Sequence, residues 1–166
     1  MPAGVILLPA GILLGLASFV SGWLCDRIAI VWLLCVGLLL FAISALWYGL
    51  WGASSGFLWL CVIAALGRMG IGLIMPALST ASLDSLTVDE LPYGAGAVTF
   101  VRQLGGAFGI NLLTVYLEWQ HQSLGGDFSA EIMAFERTFI LLGLAFILTL
   151  WPAWRLRKLP KPVKMH

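Results

Sequence analysis

Five long apolar segments dominate this chain and limit what it can fold into. They cover residues 3–24, 28–48, 57–80, 95–118 and 138–154. A hydrocarbon core of about 30 Å is crossed by roughly 20 residues of α-helix, so each segment can span a bilayer, the last one only just. The apolar runs are continuous rather than alternating, which argues against transmembrane β-strands. The sequence therefore predicts an all-α transmembrane bundle of five helices over residues 1–154, followed by a tail at 155–166.

The composition supports membrane insertion and argues against other classes of protein. Hydrophobic residues make up 61% of the chain and charged residues 10%, which is more apolar than a soluble domain of this size requires. A net charge of +1, with no basic run interleaved with aromatic residues before the tail, argues against nucleic-acid binding. The first apolar run follows no basic residue and is as long as a full span, so we expect it to stay in the membrane.

The distribution of Lys and Arg predicts the orientation. The loop at 49–56 has no basic residue and the turn after the first span has Arg27, whereas the tail is rich in them: Arg155, Arg157, Lys158, Lys161 and Lys164. Because basic residues concentrate on the cytoplasmic side of a membrane, the tail and the 81–94 loop are predicted to be cytoplasmic. The N-terminus and the 119–137 loop are then predicted to be outside.

The fourth apolar segment carries an unusual polar face. At 100° per residue, one sector of roughly 140° contains six small or polar residues, namely Gly96, Thr99, Arg102, Gln103, Gly106 and Gly109. Phe100, Leu104 and Phe108 lie largely outside this sector. A guanidinium in a bilayer requires a protein partner or a water-filled cavity. We therefore predict that this face points into a bundle.

Two arginines within the spans are candidates for lining a substrate pathway. Arg68 lies near the middle of the third span, where an arginine costs roughly 2.5 to 3.5 kcal/mol on insertion scales. It could line a substrate or water pathway, or bind carbonyls or a carboxylate of a neighbouring helix, and the sequence leaves both open. Arg102 lies about 10 Å from the cytoplasmic end of its span and could snorkel to the interface. Thr99 and Gln103 complete the set of pathway candidates.

Small residues also predict contacts between helices. In the first span they recur four, three and four positions apart, at Gly11, Gly15, Ser18 and Gly22. In the fourth span they are Gly105, Gly106 and Gly109. Such stripes allow the backbones of two helices to approach closely. In the third span, Pro76 removes a backbone hydrogen bond near Gly72, which predicts a kink.

No residue pattern supports catalysis or metal binding. Residues 52–56 match G-x-S-x-G around Ser54, but a nucleophile elbow needs a strand-to-helix turn. His121, the only histidine before the C-terminal residue, lies in another predicted loop. The cysteines at 25, 35 and 61 lack ligand spacing. We therefore expect no enzyme activity, no cofactor and no bound metal.

Two stretches carry a resemblance to a known family. The first is the G-x-x-x-D-R turn from Gly22 to Asp26 and Arg27, and the second combines residues 68–81 with residues 94–110. Together with the topology, they resemble the tenth to fourteenth spans of the fourteen-span drug:proton antiporters of the major facilitator superfamily, EmrB/QacA type. After Arg27 the turn departs from the family pattern, because residues 28–30 replace a further glycine and basic residues.

The resemblance implies efflux of amphipathic compounds across a bacterial cytoplasmic membrane, driven by inward proton flow. The substrate would lie between two bundles near the midplane. At the cytoplasmic turn, Asp26 would interact with helix ends and Arg27 with acidic groups. The proton-coupling carboxylates would belong to a missing first bundle, since this chain has none at the membrane centre.

The chain would then be a C-terminal fragment that is inactive alone. Its partners would be membrane lipid and the missing N-terminal bundle, with amphipathic substrates and protons bound in the intact protein. The alternative is a small, non-transporting membrane protein that binds a partner through its glycine-rich helix faces.

Overall fold

The computed structural model describes residues 2–25, 27–52, 55–84, 86–125 and 127–155, with side chains from residue 11 onward. These residues form five α-helices: α1 (Pro2–Cys25), α2 (Ile30–Trp51), α3 (Phe57–Leu83), α4 (Leu91–Ser123) and α5 (Phe128–Arg155). Helices α2 to α5 are each long and apolar enough to cross a membrane. The all-α transmembrane bundle predicted from the sequence is confirmed.

The helices are longer than several of the predicted spans. Helix α5 begins at Phe128 rather than at 138, and α4 continues to Ser123. Most of the predicted 119–137 loop is therefore helical, because α4 and α5 both extend beyond the continuous apolar segments. Residues 124–127 separate the two helices, and Gly125 has a φ of 103°. Only glycine adopts that left-handed conformation at little cost.

Helix α3 lies between α1 and α2 and packs extensively against both. Gly72 faces α1, where an added Cβ would come 2.8 Å from the Ala17 Cβ. Gly70 faces α2, where an added Cβ would come 2.7 Å from the carbonyl oxygen of Gly37. Because these approaches leave no room for a side chain, glycine sets the distance between the helix backbones.

Helix α2 also packs along α5, on the side away from α1. Gly49 lies against the backbone of Glu136 and Ile140, and a Cβ there would come 2.7 Å from the Glu136 carbonyl oxygen. Near the middle of the helices, the rings of Phe41 and Phe146 have centroids 4.5 Å apart. The order of packed helices is thus α1, α3, α2 and α5.

Buried or partly buried hydroxyl groups connect these packed helices. Ser21 of α1 donates to the Leu73 carbonyl of α3 at 2.9 Å, and Ser44 of α2 donates to the Ile63 carbonyl at 2.8 Å. The Tyr48 hydroxyl donates to the Leu60 carbonyl at 2.9 Å. A hydroxyl away from water must find an acceptor, so each bond also specifies how the two helices align.

Helix α4 is the exception to this packing. It makes limited contact with α5 and less with α3, and the most apolar part of the helix is not buried.

Helix α4 begins after a turn in which the Thr87 backbone N–H and hydroxyl donate to the Glu90 carboxylate at 3.1 and 2.9 Å. These hydrogen bonds, the backbone one foremost, lower the pKa of Glu90, since they favour its charged form.

Candidate functional site

Arg102 connects α4 to α3. Its Nη2 donates to the Ser79 hydroxyl oxygen at 2.8 Å, and that hydroxyl donates in turn to the Met75 carbonyl of its own helix at 3.0 Å. Both side chains are accessible rather than buried. The guanidinium therefore has a polar partner on the neighbouring helix. This bond holds the first half of α4 beside α3.

Three other polar residues in the span of α4, Thr99, Gln103 and Asn111, are exposed. Thr99 is exposed and donates to the Ala95 carbonyl of its own helix at 2.8 Å. Asn111 donates to the Ala107 carbonyl at 2.8 Å, so its amide satisfies its own helix and not another one. Gln103 is exposed. The face of α4 that the sequence predicts to point into a bundle is thus largely exposed in the described bundle.

Arg68 lies on the same edge of α3 as Ser79, eleven positions earlier, or about 16 Å along a helix at 1.5 Å per residue. Its side chain is exposed. Among the described residues, no hydrogen bond or ion pair holds its guanidinium. A structural link from Arg68 to a neighbouring helix of the described bundle is therefore absent, and its role in a substrate pathway stays a prediction.

The glycines predicted to pack helices lie in open space. A Cβ added at Gly11, Gly15, Gly105, Gly106 or Gly109 would meet nothing within 4 Å, and the same is true of Gly22. The contacts between α2, α3 and α5 use other glycines instead: Gly37, Gly49, Gly67, Gly70 and Gly143. Sequence reasoning missed this second set, because its members are spread over three segments and form no stripe in one of them. Contacts at the open glycines stay a prediction.

The G-x-x-x-D-R turn, which the sequence predicts to be cytoplasmic, is described only in part. Asp26 lies outside the described residues, so its predicted contacts with helix ends stay a prediction. The Arg27 guanidinium lies 4.2 Å from the centroid of the Trp23 ring, a cation–π contact. The Arg27 backbone N–H donates to the Leu24 carbonyl at 3.0 Å, which closes the turn between α1 and α2.

An apolar groove of about 450 Å³ runs between α4 and α5. Its lining residues are Tyr116, Arg137, Ile140, Leu141, Leu144, Ala145 and Leu148. At one end, Arg137 Nη1 donates to the Gln120 amide oxygen at 3.0 Å. The Gln120 Nε2 donates to the Tyr116 hydroxyl at 2.9 Å. Sequence reasoning missed this cluster, because it assigned Gln120 and Arg137 to a loop.

The described residues offer little to enzymatic or metal chemistry. Within residues 2–25, 27–52, 55–84, 86–125 and 127–155, no three His, Cys, Asp or Glu side chains come together in a way that could hold a metal ion. Ser54, the serine of the G-x-S-x-G match, lies outside the described residues. His121 lies in the last turn of α4 rather than in a loop.

Comparison with curated proteins finds transporters. The chain is 23% identical over 98% of its length to YcnB, an uncharacterized MFS-type transporter of Bacillus subtilis. It is 28% identical over 96% of its length to a methylenomycin A resistance protein of Streptomyces coelicolor, and 30% identical over 67% to the multidrug transporter protein MdtP of Bacillus subtilis. No family model and no solved structure matches the chain.

These relatives are much longer than the chain. It spans 35% of YcnB, 32% of the methylenomycin A resistance protein and 20% of MdtP. The similar proteins are transporters and not enzymes, which agrees with the expectation of no enzyme activity. Together with the five-helix transmembrane bundle, the matches support membership of this chain in the major facilitator superfamily (MFS) of multi-pass membrane transporters.

Proposed function

We propose that this chain is the C-terminal helix bundle, less one span, of a proton-driven exporter of amphipathic compounds. Transport then requires a further bundle that supplies the opposite wall of the pathway. The observation that carries this proposal is the exposure of α4. Its span is unburied, yet it carries a guanidinium and two amides that lipid alone would solvate poorly. It also carries four glycines of the kind that is enriched where membrane helices meet.

The open face of α4 and the adjoining edge of α3 would form one wall of the pathway. Arg102 and Ser79 join these two helices, and Arg68 lies farther along the same edge of α3. Thr99 and Gln103 extend the polar surface along α4. In transporters built from two bundles, the substrate lies between them near the bilayer midplane, so a polar face on the outside of one bundle is suited to that role.

The relatives support export as the direction of transport. One is named for resistance to methylenomycin A and another as a multidrug transporter. The chain itself has no acidic residue near the centre of a predicted span. The groups that take up and release protons are therefore expected in the remaining part of the transporter, and the chain alone should not pump.

Accumulation of a fluorescent amphipathic cation such as ethidium would test this proposal. Cells lacking their own exporters would produce the chain alone, or the chain with the polypeptide encoded upstream of it. We expect the chain alone to match the empty vector, and the assembled protein to lower accumulation until a protonophore is added. Arg102→Ala should restore accumulation severalfold, whereas Arg155→Ala at the end of α5 should not. Export by the chain alone, or a panel of amphipathic compounds that is never exported, would overturn the proposal.

The same proposal places the C-terminal tail in the cytoplasm of a bacterial cell. In a variant lacking Cys25, Cys35 and Cys61, Ser123→Cys would mark the turn between α4 and α5. Val88→Cys, in the exposed turn before α4, is the matched control. A membrane-impermeant maleimide should label Ser123→Cys in intact cells and Val88→Cys only after the membrane is permeabilised. The reverse pattern would contradict the proposed orientation.

A second function, a non-transporting membrane protein that binds a partner, is favoured by one observation. Both glycine stripes, on α1 and on α4, are free of contacts within the described bundle. Co-purification from native membranes separates the two functions. Recovery of the remaining half of a transporter supports the exporter, and a stable complex with an unrelated membrane protein supports the alternative.

A further inference from the structure

The guanidinium of Arg68 lies near the middle of α3 without compensation from the described bundle. Its side chain is exposed, and within the part of the chain that the structure describes no hydrogen bond or ion pair holds it. A guanidinium at this depth requires a polar partner or water. Arg102 differs, because its Nη2 already donates to the Ser79 hydroxyl. The donors of Arg68 are therefore available to a group that comes from outside the described bundle.

The sequence supplies no carboxylate at the depth of Arg68. Of the eight acidic residues, only Glu118 falls within a predicted span, and it is the last residue of that span. The wall formed by the open face of α4 and the adjoining edge of α3 thus carries two guanidinium groups, and its only carboxylate within the spans lies at one end. In a cleft with apolar walls, charges of one sign raise the local concentration of ligands of the opposite sign. The charge of this wall favours anions.

The surface of α3 next to Arg68 suits the apolar part of an amphipathic compound. At 100° per residue, Arg68, Met75 and Ser79 lie within a sector of about 40° and form one edge of the helix. Met75 is 41% exposed, and it lies about 10 Å from Arg68 along the helix axis at 1.5 Å per residue. A methionine side chain is unbranched and polarizable, so it adapts to apolar surfaces of different shapes. The edge therefore offers a charged group and an adaptable apolar group at the spacing of a small amphipath.

We infer that the amphipathic compounds which this wall binds best are anions, and that Arg68 binds their carboxylate group. The planar guanidinium donates two parallel hydrogen bonds to a carboxylate, which supplies the compensation that lipid does not give. The apolar body of the compound lies along Met75 toward Ser79. This charge preference rests on the proposed function, because it requires the wall to belong to a substrate pathway.

A carboxylate of the missing bundle is the competing partner for Arg68. A permanent ion pair between the two bundles at this depth would cross the pathway near the midplane, where the substrate has to lie. An anionic substrate instead binds the guanidinium only while the pathway is occupied. The two partners also predict different effects of replacing Arg68. Loss of a permanent ion pair would impair the export of every compound alike, whereas loss of a substrate contact would change the export of anions and cations in opposite directions.

Two fluorescent compounds of opposite charge test the inference by transport. Fluorescein is an anion and rhodamine 123 a cation, and both contain the xanthene ring system. Uptake into everted membrane vesicles that contain the assembled transporter would give an apparent KM for each compound. We expect the lower KM for fluorescein. In Arg68→Gln the KM for fluorescein should rise about tenfold, as expected for the loss of hydrogen bonds to a charged group, and the KM for rhodamine 123 should fall.

Two further variants separate charge from structure at this position. Arg68→Lys keeps the positive charge and loses the planar fork, so it should retain part of the preference for fluorescein. Arg155→Gln, at the exposed end of α5, is the matched control and should change neither KM. A preference that is equal in the Lys and Gln variants would show that the charge of Arg68 does not select the substrate and would overturn the inference.

Alkylation of a cysteine measures binding without transport. In an assembled transporter that lacks native cysteines, Met75→Cys should react with a water-soluble maleimide. Fluorescein should slow this reaction severalfold more than rhodamine 123 does, and Arg68→Gln should remove the difference. Val88→Cys, in the exposed turn before α4, is the control and should react at the same rate with either compound present.

The remaining outcomes separate this inference from the proposed function. A lower KM for rhodamine 123, an equal rise of both KM values in Arg68→Gln, or a Met75→Cys that does not react would each overturn the inference. The equal rise would assign Arg68 to the contact between the bundles. Export of ethidium and rhodamine 123 without export of fluorescein overturns the charge preference and leaves the proposed function in place. Protection of Met75→Cys by fluorescein without export of any compound leaves the anion site in place and removes the proposed function.

Discussion

The contact between α2 and α3 and the open face of α4 have similar ingredients and opposite surroundings. Both surfaces combine glycines with polar side chains. Between α2 and α3, Gly70 leaves no room for a Cβ and Ser44 donates to a carbonyl of the facing helix. On α4, Gly105 and Gly109 face open space and Thr99 donates to its own helix.

A stripe of small residues therefore predicts a helix contact but does not identify the partner helix. In the first case the partner is within the chain, and the contact stabilises this bundle. In the second case the described chain supplies none, so the same residue types remain available for the contact with another polypeptide that we propose. Substitutions at matched positions in the two regions should therefore differ sharply in their effect on the isolated bundle.

The largest difference is expected for glycine substitutions. Gly70→Ala would push a methyl group toward the Gly37 carbonyl oxygen, 2.7 Å away. Since backbone cannot move aside cheaply, the free energy of unfolding should fall by about 1 to 3 kcal/mol. Gly105→Ala should leave it unchanged or raise it by up to about 1 kcal/mol through helix propensity. Thermal unfolding in detergent, followed by circular dichroism, measures both, and equal losses would contradict the contrast.

A smaller difference is expected for buried and exposed hydroxyl groups. Ser44→Ala removes the bond to the Ile63 carbonyl, and such bonds between helices in membranes average about 0.6 kcal/mol. Ser82→Ala is the matched control, because the Ser82 hydroxyl donates to the Leu78 carbonyl of its own helix. The same unfolding assay should show a loss for the first variant and almost none for the second. A loss at Ser82 as large as at Ser44 would mean that burial does not decide the effect.

The smallest effect concerns pH and the start of α4. Hydrogen bonds from Thr87 lower the pKa of Glu90 in the folded chain, so this contribution to stability is present above the unfolded pKa. It is lost as pH falls through the lowered folded value. Unfolding measured across the acidic range should therefore depend on pH slightly less in Glu90→Gln than in the parent chain. Asp89→Asn, at an exposed neighbour, serves as the control. An unchanged pH dependence in Glu90→Gln would show that these bonds do not contribute.

Much of the fold could be predicted because hydrophobic length is a local property. The helices α1 and α3 match their predicted segments closely, since a run of apolar residues of span length has few alternatives in a bilayer. The ends of α4 and α5 could not be predicted in the same way. Residues 119–123 are mostly polar, and residues 128–137 mix apolar residues with charged ones. In the fold, the bond between Gln120 and Arg137 connects these two segments.

The same distinction between local residue properties and tertiary contacts applies to the candidate site. Residue type alone marked Arg68 and Arg102 as costly in a bilayer, because a guanidinium there requires compensation. Residue type does not show which group, if any, binds each guanidinium. Ser79 accepts a hydrogen bond from Arg102, whereas Arg68 has no such partner among the described residues.

Apolar length and residue type are sufficient to identify a helical membrane protein with polar groups and glycines inside two of its spans. The sequence does not show which glycines are in contact. In the folded bundle Gly37, Gly49, Gly67, Gly70 and Gly143 are packed, whereas Gly96, Gly105, Gly106 and Gly109 of α4 are open. The physical reason is that burial depends on which helices become neighbours. That choice is made by close fits spread over several helices, and no single segment encodes it.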